Sequence, residues 1–558
     1  MKKLTKAEIE AIEPANYIET IIKKDMLEHS LNHIVTRFPP EPNGYLHIGH
    51  VKACLISINA AEKFGGYANL RFDDTNPNKE DIEYENAILD TMKWLGLDFK
   101  NVFYASDYYE TMFEKAVFLI KKGLAFVCDL PAEEISKTRG TFTEPGTNSP
   151  YRTRSIEESL QLFQDMRAGK FADGSKTLRA KIDMASPNMN LRDPVIYRIA
   201  REHHYRTDNK WCIYPMYDFA HPIEDCIEGI THSLCSLEFE DHFPLYKWVV
   251  ENCEFDNLAL NPPHEIEFAR LNVDGVVTSK RHIRSLIEAG RVRGWDDPRL
   301  PTLMGMRARG YSPAALKDFI SRVGCSRAYS SVHPSMLEAC VRDDLNLTAT
   351  RVMVVTDPIR VKITNMSDDA VEYAEIDNNP NVENGEKHPA SFSNELYIER
   401  EDFALIPPPK YNRLVEGGMV RLKGAYIIKC NKAKTNKDGN VTELECEYIK
   451  ESKSGNDNSG IKVKGTIHWV DAKSCVDVQI SEYGPLIKEG QTFDGNWEGV
   501  YNEDSLRVLN GKGEQYLTIL QAGARLQFVR KGYYILASKQ CRNFVFNQIV
   551  SLKDGYKK

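Results

Sequence analysis

The sequence predicts an α/β protein in which a doubly wound parallel sheet is followed by a β-rich second half. Residues 34–110 indicate a strand, a helix and a second strand, because a short apolar run gives way to apolar residues at helical spacing. That order of elements favours a parallel sheet, since parallel neighbours need a crossover helix. After about residue 350 the apolar period becomes two, which is typical of strands.

The bulk composition indicates a globular protein of several domains. The 558 residues exceed the size at which a single core stops growing, and 42% are hydrophobic and 27% charged. The first residues lack the apolar stretch of a signal peptide and no apolar run reaches membrane-span length, so we expect a cytoplasmic protein with no membrane contact. The net charge of −8 does not signal a nucleic-acid partner, although a local basic face is compatible with it.

The 12 cysteines are scattered along the chain and form no C-x-x-C pair. The sequence also has no histidine-rich tract. We therefore expect a reducing compartment and no structural metal site.

The first strand candidate is Ile34–Phe38, and the helix that follows it is stopped by a Gly-Gly pair. The second strand candidate, Asn69–Asp73, runs into the sequence Asp-Asp-Thr-Asn-Pro. Because the carboxyl ends of parallel strands share one edge of the sheet, we expect Arg37, the turn at His47 and Asp73 to meet there.

Several segments of the C-terminal half alternate or are continuously apolar, and each is a strand candidate. They are Arg351–Val355, Met419–Lys423, Tyr426–Lys429, Ile461–Gly465 and Leu526–Arg530. Asp438-Gly439 lies between two such runs and predicts a two-residue hairpin turn. Many short strands with turn signals indicate one or two β-barrels, and the fold class predicted here has two antiparallel ones.

Changes in composition divide the chain into five predicted parts. They are an N-terminal extension (1–30), a doubly wound domain (31–107 and 218–272), an insertion (108–217), a helical subdomain (273–345) and a β-rich region (346–558). The insertion is predicted because Gly/Thr/Pro-rich pieces alternate with short strands such as Thr177–Asp183 before α/β character resumes.

The stretch Phe38–His50 carries the strongest chemical signal. Its two imidazoles, His47 and His50, lie near a predicted helix N-terminus, where free N–H groups and partial positive charge favour phosphate. Gly44 and Gly49 would let a base or ribose approach the backbone. The four-residue His-x-Gly-His pattern alone is common by chance, so it is the longer string Pro-x-Glu-Pro-x-Gly-x-x-His-x-Gly-His that favours a functional turn.

A second signal, Val277-Thr-Ser-Lys-Arg281, follows the second α/β segment. A lysine in a small polar turn can bind a triphosphate as a point charge. An isolated Ser-Lys is more often part of an exposed loop. Lys280, however, follows the second half of the predicted sheet, and this position favours a location opposite the histidine turn.

Together these two motifs resemble the HIGH and KMSKS signature pair of the class I aminoacyl-tRNA synthetases. The second motif departs from the family at Thr278, where Met is usual, but it keeps the lysine. Four further segments are similar to the glutaminyl subgroup of that family: Phe38–Leu46, Arg71–Pro77, Tyr214–Phe219 and Thr231–Phe239. The resemblance runs from about residue 30 to the C-terminus and includes Lys464–Val470.

The resemblance implies a Rossmann-like catalytic domain that activates an amino acid with ATP and passes it to the terminal ribose of a tRNA. His47, His50 and Lys280 would be catalytic, and Mg²⁺ would accompany ATP with mostly water ligands. The implied ATP-binding residues are Glu41, Pro42, Asn43, His47, Ile48, Gly49, His50, Val51, Lys52, Ala53, Ser236, Arg270, Leu271, Thr278, Ser279 and Lys280. The family also suggests a monomer.

By the same match, four residues would bind the amino acid: Arg37, Asp73, Tyr217 and Cys235. Asp73 would pair with its α-amino group, Arg37 would face its polar end, and Tyr217 would bond the side-chain amide. Enzymes of the subgroup that charge glutamate have an arginine at the position of Cys235. A small neutral residue there favours glutamine, since an unpaired buried carboxylate is costly. Each residue also has a structural alternative, as a strand-end ion pair or as part of the core.

The predicted insertion resembles the domain that holds the tRNA acceptor end, and the β-barrels resemble the part that reads the anticodon. Arg351 and Arg413 match basic positions of that anticodon site, with a solvated strand edge as the alternative for each. The implied partners are tRNA(Gln) and L-glutamine. A glutamyl-tRNA synthetase and a catalytically inactive tRNA-binding paralogue stay open, while the long β-rich part disfavours a generic nucleotidyltransferase.

Overall fold

The computed structural model describes residues 3–255, 262–540 and 543–552. The chain forms two compact units, one of residues 1–272 and 320–332 and one of residues 273–319 and 333–558. The five predicted parts are finer than these units, and their bounds stay a prediction.

Helices and strands alternate through the first unit. Its helices are α1 (Lys6–Ala11), α2 (Tyr17–Glu28), α3 (Ile48–Lys63), α4 (Ile82–Leu95), α5 (Tyr109–Lys121), α6 (Ala132–Thr138), α7 (Ile156–Arg167), α8 (Tyr217–Glu228) and α9 (Phe243–Asn252). Its strands are β1 (Val35–Phe38), β2 (Tyr67–Phe72), β3 (Val102–Tyr104), β4 (Ala125–Cys128), β5 (Thr177–Ala180), β6 (Val195–Ile199), β7 (Ile213–Pro215), β8 (His232–Ser236) and β9 (His264–Phe268). Strand β10 (Asn272–Val273) follows.

The central strands of this unit are parallel, as predicted. Strands β1, β2 and β3 pair in that order, and β8 pairs with β9. The amide of Thr231 donates to Val35 O at 2.9 Å, which places β8 beside β1. The resulting strand order is β9-β8-β1-β2-β3. The chain first adds β2 and β3 on one side of β1 and later adds β8 and β9 on the other side, so the switch point lies between β1 and β8. A doubly wound sheet binds its ligands at such a switch point.

Helix α3 packs on one face of β1, where Thr36 Oγ1 donates to Ser57 O at 2.8 Å. After the helix, the chain passes so close to β1 that a Cβ atom on Gly66 would lie 1.6 Å from Ile34 O. The Gly-Gly pair therefore does more than end the helix, because only glycine allows this approach of two backbones.

A second, antiparallel sheet in this unit has the strand order β4-β5-β6-β7. Helices α5 and α7 cover it, and Phe113 stacks on Phe163 in the shared core at a centroid distance of 4.8 Å. The sheet falls within the predicted insertion, and the expected strand at Thr177–Asp183 ends earlier, at Ala180.

The second unit begins with helices and continues with strands. The remaining helices are α10 (Lys280–Glu288), α11 (Leu303–Arg309), α12 (Pro313–Val323) and α13 (Pro334–Thr348); the end of α12 and the strand β11 (Ser331–Val332) are counted with the first unit. The strands are β12 (Thr350–Val352), β13 (Val354–Val355), β14 (Pro358–Ile363), β15 (Glu372–Asp377), β16 (Lys387–Phe392), β17 (Glu395–Glu399), β18 (Met419–Leu422), β19 (Ile427–Thr435), β20 (Val441–Ile449), β21 (Thr466–Ile467), β22 (Trp469–Asp471), β23 (Val476–Tyr483), β24 (Leu506–Gly513), β25 (Arg525–Phe528), β26 (Gly532–Gln540) and β27 (Asn543–Ser551).

Two seven-stranded sheets confirm the predicted pair of barrels. Their orders are β12-β25-β26-β27-β23-β24-β13 and β21-β18-β19-β20-β14-β17-β22. In each sheet the two outermost strands are consecutive in the chain and are separated by one residue, Met353 or His468. Each sheet must therefore curl until its edges nearly meet. Most neighbours are antiparallel, and β12 with β25 is one of the parallel pairs.

Two local predictions for this half were wrong. The structure assigns no strand to Ile461–Gly465, where the side chains alternate between half-buried and exposed and the bond from the Arg421 amide to Gly465 O, at 3.0 Å, is not extended into a ladder. The turn at Asp438-Gly439 has three residues rather than two, because the Gly439 amide donates to Asn436 O at 3.0 Å while Asn436 pairs with Asn440. Gly439 takes φ +80°, as the last residue of such a loop requires.

Among the described helices, we find none that combines the length and the apolar composition needed to span a membrane.

Candidate active site

The histidine turn forms the start of α3. His47 is the N-cap, and its Nδ1 accepts the Gly49 amide at 3.1 Å, while His50 Nδ1 accepts the His47 amide at 3.0 Å. A ring nitrogen that accepts a hydrogen bond carries no proton, so in each neutral ring the proton is on Nε2, which is then a donor. Gly49 is required because a Cβ atom there would lie 2.9 Å from the His47 ring.

The loops that follow β1 and β2 are bonded to each other at the same edge. The Asp73 amide donates to Pro40 O and the Asp81 amide to Pro42 O, each at 3.1 Å. Asp73 therefore lies beside the stretch that leads into the histidine turn, where its carboxylate accepts Thr75 Oγ1 at 3.1 Å. The predicted meeting of the two loops is present in the structure.

The start of α3 is also tied to the end of β9. Lys52 is buried, and its ammonium group donates to Ala269 O at 2.8 Å. Arg270 and Leu271 follow that carbonyl, and Ser236 ends the neighbouring strand. The predicted ATP-binding residues of the first unit thus lie around one edge of the sheet. Among them, Ile48 and Val51 are in the core, Ala53 is half-buried, and Asn43 bonds Glu41.

Arg37 lies inside the protein, fully buried at the switch point. Its Nε donates to Asp225 Oδ1 at 3.2 Å, and its Nη1 donates to Leu234 O at 2.9 Å. Its Nη2 contacts Ser233, His221 and, at 3.4 Å, the sulfur of Cys235. The predicted role of Arg37 at the polar end of the substrate stays a prediction, and its contacts are those of a buried ion pair.

Arg71, on β2, extends this buried charge cluster. It contacts Glu224 at 2.8 Å, Asp225 at 2.7 Å and Glu228 at 3.2 Å. Three carboxyl groups thus face two guanidinium groups. Burial raises the pKa of Glu228 from 4.5 to about 7 and that of Glu224 well above its ordinary value. For Asp225, burial alone would raise the pKa, but Arg37 holds it well below its ordinary range. Asp225 is therefore the ionised member of the cluster.

Tyr217 reaches the same cluster through a histidine on its own helix. Its hydroxyl lies 2.5 Å from His221 Nδ1, and His221 Nε2 lies 3.0 Å from Asp225 Oδ2. Burial lowers the pKa of His221 from 6.5 to about 4, so the ring is neutral at physiological pH. The hydroxyl of Tyr217 is thus held by a neutral ring that is itself held by a carboxylate.

Cys235 lies on β8, where it contacts Arg37, and its side chain is an uncharged thiol. Burial raises its pKa from 9.0 to about 12. The neighbouring Glu265 is also buried, and burial raises its pKa from 4.5 to about 7. Together with Tyr217 and His221, Glu265 lines a small pocket. The cations of the described network, Arg37 and Arg71, are already paired with carboxylates.

Asp73 has a carboxyl group suited to a positively charged ligand. It is buried, and burial together with the nearby Glu41 carboxylate raises its pKa from 3.8 to about 7. A cation bound beside it would reverse this effect, because an opposite charge favours the ionised form.

The remaining predicted residues lie in the second unit. Thr278 and Ser279 precede α10, Ser279 is its N-cap, and Lys280 is its first residue. The predicted approach of Lys280 to the histidine turn stays a prediction.

The two predicted anticodon arginines differ in exposure. Arg351 is buried and donates to Ala349 O and Asn346 O, each at 3.0 Å, at the end of α13, so it does not lie on a solvated strand edge. Arg413 is partly exposed and pairs with the buried Asp402. Contact of either residue with RNA stays a prediction.

Sequence reasoning missed the residues that position Tyr217 and Arg37. They are His221, Asp225, Glu224 and Glu228 on α8, Arg71 on β2 and Glu265 on β9. A signal for the helical ones exists, since positions 217, 221, 224, 225 and 228 follow helical spacing and so put polar groups on one face. Buried polar groups on one face of a helix indicate a partner of opposite charge.

A parallel sheet with a histidine-capped helix at its carboxyl edge defines a nucleotide-binding α/β protein. Residues 33–347 match the tRNA synthetases class I (E and Q), catalytic domain, and residues 349–449 and 466–537 match two anti-codon binding domains of the same group. The chain belongs to the class I tRNA synthetases of this E and Q family, and it is therefore an enzyme that uses ATP and binds an amino acid and a tRNA.

Three relatives illustrate the match. Proteins named Glutamine--tRNA ligase from Clostridium kluyveri and Clostridium perfringens are each 50% identical, over 97% of this chain and 98% of theirs. The Glutamine--tRNA ligase of Pseudomonas putida is 48% identical, over 97% and 96%. A crystal structure of a glutamate tRNA ligase from Elizabethkingia meningosepticum is 19% identical with a TM-score of 0.42, over 57% of this chain and 70% of that chain.

The charge cluster at the switch point yields a stability prediction. The substitution Asp225→Asn leaves Arg37 and Arg71 buried with their shared carboxylate removed, and we expect it to destabilise the first unit by about 3–5 kcal/mol. Urea unfolding measures the effect. The matched control is Glu10→Gln, which removes an exposed pair with Lys6 and should change stability by less than about 0.5 kcal/mol. Equal effects of the two variants would contradict this account of Asp225.

Proposed function

We propose that the protein joins L-glutamine to tRNA(Gln) through a glutaminyl-adenylate, with release of AMP and diphosphate. The relatives named Glutamine--tRNA ligase support this function over nearly the whole chain. The observation that carries the choice of glutamine is that the hydroxyl of Tyr217 is held by the neutral ring of His221, while the nearby Arg37 is committed to Asp225 and its neighbour Cys235 is an uncharged thiol.

In the first step, the substrate carboxylate attacks the α-phosphate of ATP and diphosphate leaves. The Nε2–H groups of His47 and His50 are the donors placed to stabilise the negative charge that spreads over the phosphates. Lys280 adds a point charge at the leaving diphosphate. Mg²⁺ enters with ATP as part of the substrate, coordinated mainly by phosphate oxygens and water.

Asp73 binds the α-ammonium group of glutamine. The backbone bond from Asp73 to Pro40 supports an ammonium site close to the histidine turn, from which the carboxylate on the same carbon could face the α-phosphate. This arrangement converts binding energy into the orientation of the attacking oxygen.

Tyr217 selects the amide over a carboxylate because its hydroxyl proton is already donated to His221, so that its oxygen can only accept a hydrogen bond. We assign the His221 proton to Nε2, since the carboxylate of Asp225 is the stronger acceptor, although Arg37 also contacts that nitrogen. His221 Nδ1 then accepts the Tyr217 hydroxyl proton, and the phenol oxygen can only accept. An amide N–H of glutamine satisfies that oxygen, whereas a glutamate carboxylate would place two acceptors together.

The rest of the proposal concerns tRNA binding, cellular location and oligomeric state. The barrels read the anticodon, with Arg413 and Arg351 as candidate contacts, and the four-stranded antiparallel sheet contacts the acceptor end. We place the protein in the cytoplasm as a monomer. Its location is supported by the free thiols of the cysteines in the described part of the chain, which fit a reducing compartment.

Aminoacylation of total tRNA with glutamine and with glutamate in parallel tests the function. We expect ATP-dependent charging with glutamine. Preference for glutamate would replace this proposal by a glutamyl-tRNA synthetase, and absence of charging with either would favour an inactive tRNA-binding paralogue.

The substitution Tyr217→Phe should weaken glutamine use. It removes the acceptor for the amide but keeps the ring against Phe239, so we expect kcat/KM for glutamine to fall by roughly 10²-fold or more, with the KM for ATP little changed. Steady-state charging assays measure both constants. Tyr67→Phe is the matched control, since Tyr67 is the first residue of β2 and lies at the end of that strand opposite Asp73. An unchanged kcat/KM in Tyr217→Phe would refute the role of the hydroxyl.

The raised pKa of Asp73 predicts a pH dependence. The α-ammonium binds only the ionised carboxyl, whose pKa in the free enzyme is about 7, so the KM for glutamine should rise about tenfold as the pH falls from about 8 to about 6. The variant Asp73→Asn should have a higher KM that no longer follows this profile. The same pH profile in the variant would assign the titration to another group.

The two variants His50→Gln and His50→Asn separate the capping and phosphate roles of this residue. Asn can replace the Nδ1 acceptor of the cap but not the Nε2–H donor, whereas Gln can place a donor near the Nε2 position. We expect His50→Asn to lower tRNA-supported ATP–diphosphate exchange by about 10²–10³-fold and His50→Gln by less. Equal losses in both variants, or none, would contradict a phosphate contact through Nε2.

A further inference from the structure

A second cluster of ligand-type side chains lies at the other end of the strands that carry the active-site residues. His232 is the first residue of β8, and His264 is the first residue of β9. Both rings converge on Asp25 of α2, and the ligand atoms of the three residues lie within 4.8 Å of one another. Cys235 and Ser236 are at the opposite end of β8, so this cluster is separate from the proposed glutamine and ATP sites.

The three residues already make short contacts around one oxygen. Asp25 Oδ2 lies 2.5 Å from His264 Nδ1 and 3.3 Å from His232 Nε2. The side chain of His232 is 1% exposed, and that of His264 is 46% exposed, so the first ring is fixed and the second can move.

The orientation of His232 leaves a buried nitrogen unsatisfied. Its Nδ1 lies 3.0 Å from Thr231 Oγ1, and that hydroxyl in turn donates to Val35 O at 3.2 Å. The same hydroxyl accepts the Val35 amide at 2.9 Å, and when it donates to Val35 O the proton shared with His232 comes from Nδ1, which leaves a lone pair on Nε2. Nε2 has no hydrogen-bond partner within the described part of the chain. In that tautomer it faces a carboxylate oxygen of Asp25 at 3.3 Å, so two acceptors lie side by side.

A cation between them removes this conflict. We propose that Asp25, His232 and His264 bind one divalent cation of the Zn²⁺ type. Two imidazole nitrogens and one carboxylate oxygen are a ligand set that Zn²⁺ accepts, whereas Mg²⁺ and Ca²⁺ prefer oxygen ligands. Thr231 supplies the outer hydrogen bond that commonly fixes the tautomer of a metal-binding histidine.

The geometry allows the site to form with little rearrangement. Tetrahedral ligands at about 2.0–2.2 Å from Zn²⁺ lie roughly 3.3 Å apart, which the pair Asp25 and His232 already satisfies. His264 must retreat from its 2.5 Å contact by somewhat less than 1 Å, and its exposed side chain permits this.

The cluster opens into a cavity through which an ion can enter. The cavity is lined by all three proposed ligands and by His29, and water entering through it can complete the coordination of the ion. The bound ion would join α2 to the starts of β8 and β9. We therefore infer a structural site that stabilises the first unit and leaves the chemistry of aminoacylation unchanged.

Titration calorimetry with ZnCl₂ on the full chain, freed of metal by a chelator, tests the proposal. We expect one Zn²⁺ per chain, a Kd at least about tenfold weaker in each of the variants His264→Gln and Asp25→Asn, and no comparable binding of Mg²⁺. The matched control is His203→Gln, which removes an exposed histidine 3.3 Å from Asp208 where no third ligand is present among the described residues. It should bind Zn²⁺ like the unchanged protein.

Two further measurements separate coordination from folding. Circular dichroism checks that each variant is folded, and Co²⁺ in place of Zn²⁺ should give a visible absorption band that His264→Gln loses and His203→Gln keeps. The proposal is overturned by absence of Zn²⁺ binding to the unchanged chain, or by equal affinity in His264→Gln and Asp25→Asn compared with it.

Discussion

The buried pairing of Arg37 with Asp225 is the constraint on which the first unit depends. A guanidinium group without access to water must meet an opposite charge and must satisfy its remaining N–H groups. Arg37 does so with groups from α8 and β8, so its strand, that helix and the neighbouring strand have one arrangement that satisfies all of them. Arg71 binds the same carboxylate from β2 and extends the constraint to the other half of the sheet.

This constraint also orients the side chains that would meet the substrate. Asp225 holds His221, and His221 holds the hydroxyl of Tyr217. Because both arginines are neutralised inside the cluster, the pocket end near Cys235 carries no available cation from that network. The other end, at the start of α3, presents N–H donors. The N–H donors at the start of α3 suit phosphate, and the end near Cys235 suits an amide. Asp73 lies on the loop whose backbone is bonded to Pro40, in the stretch that leads into the histidine turn.

The sequence predicted the elements whose signal is local. The strand β1, the helix α3 and the strand β2 follow from the periodicity of their own residues, and so do most strands of the barrels. The segment Ile461–Gly465 alternates equally well but forms no strand ladder, because strand pairing depends on the fold as a whole. The site divides in the same way. Site residues that belong to contiguous motifs could be recognised in the sequence. Asp225 and Glu265 could not, because their contacts are with residues distant in the chain.

The sequence by itself determined the order of the elements, the motifs at the carboxyl edge and, through its resemblance, the family. The tertiary structure alone decided that Arg37 is buried in an ion-pair cluster and that His221 orients Tyr217. It also brought Asp25, His232 and His264 together from three elements, although their spacing in the sequence suggested no metal site. The reason is physical: helical and strand periods act over a few residues, while burial and charge pairing are set by whichever distant groups the fold brings within hydrogen-bonding distance.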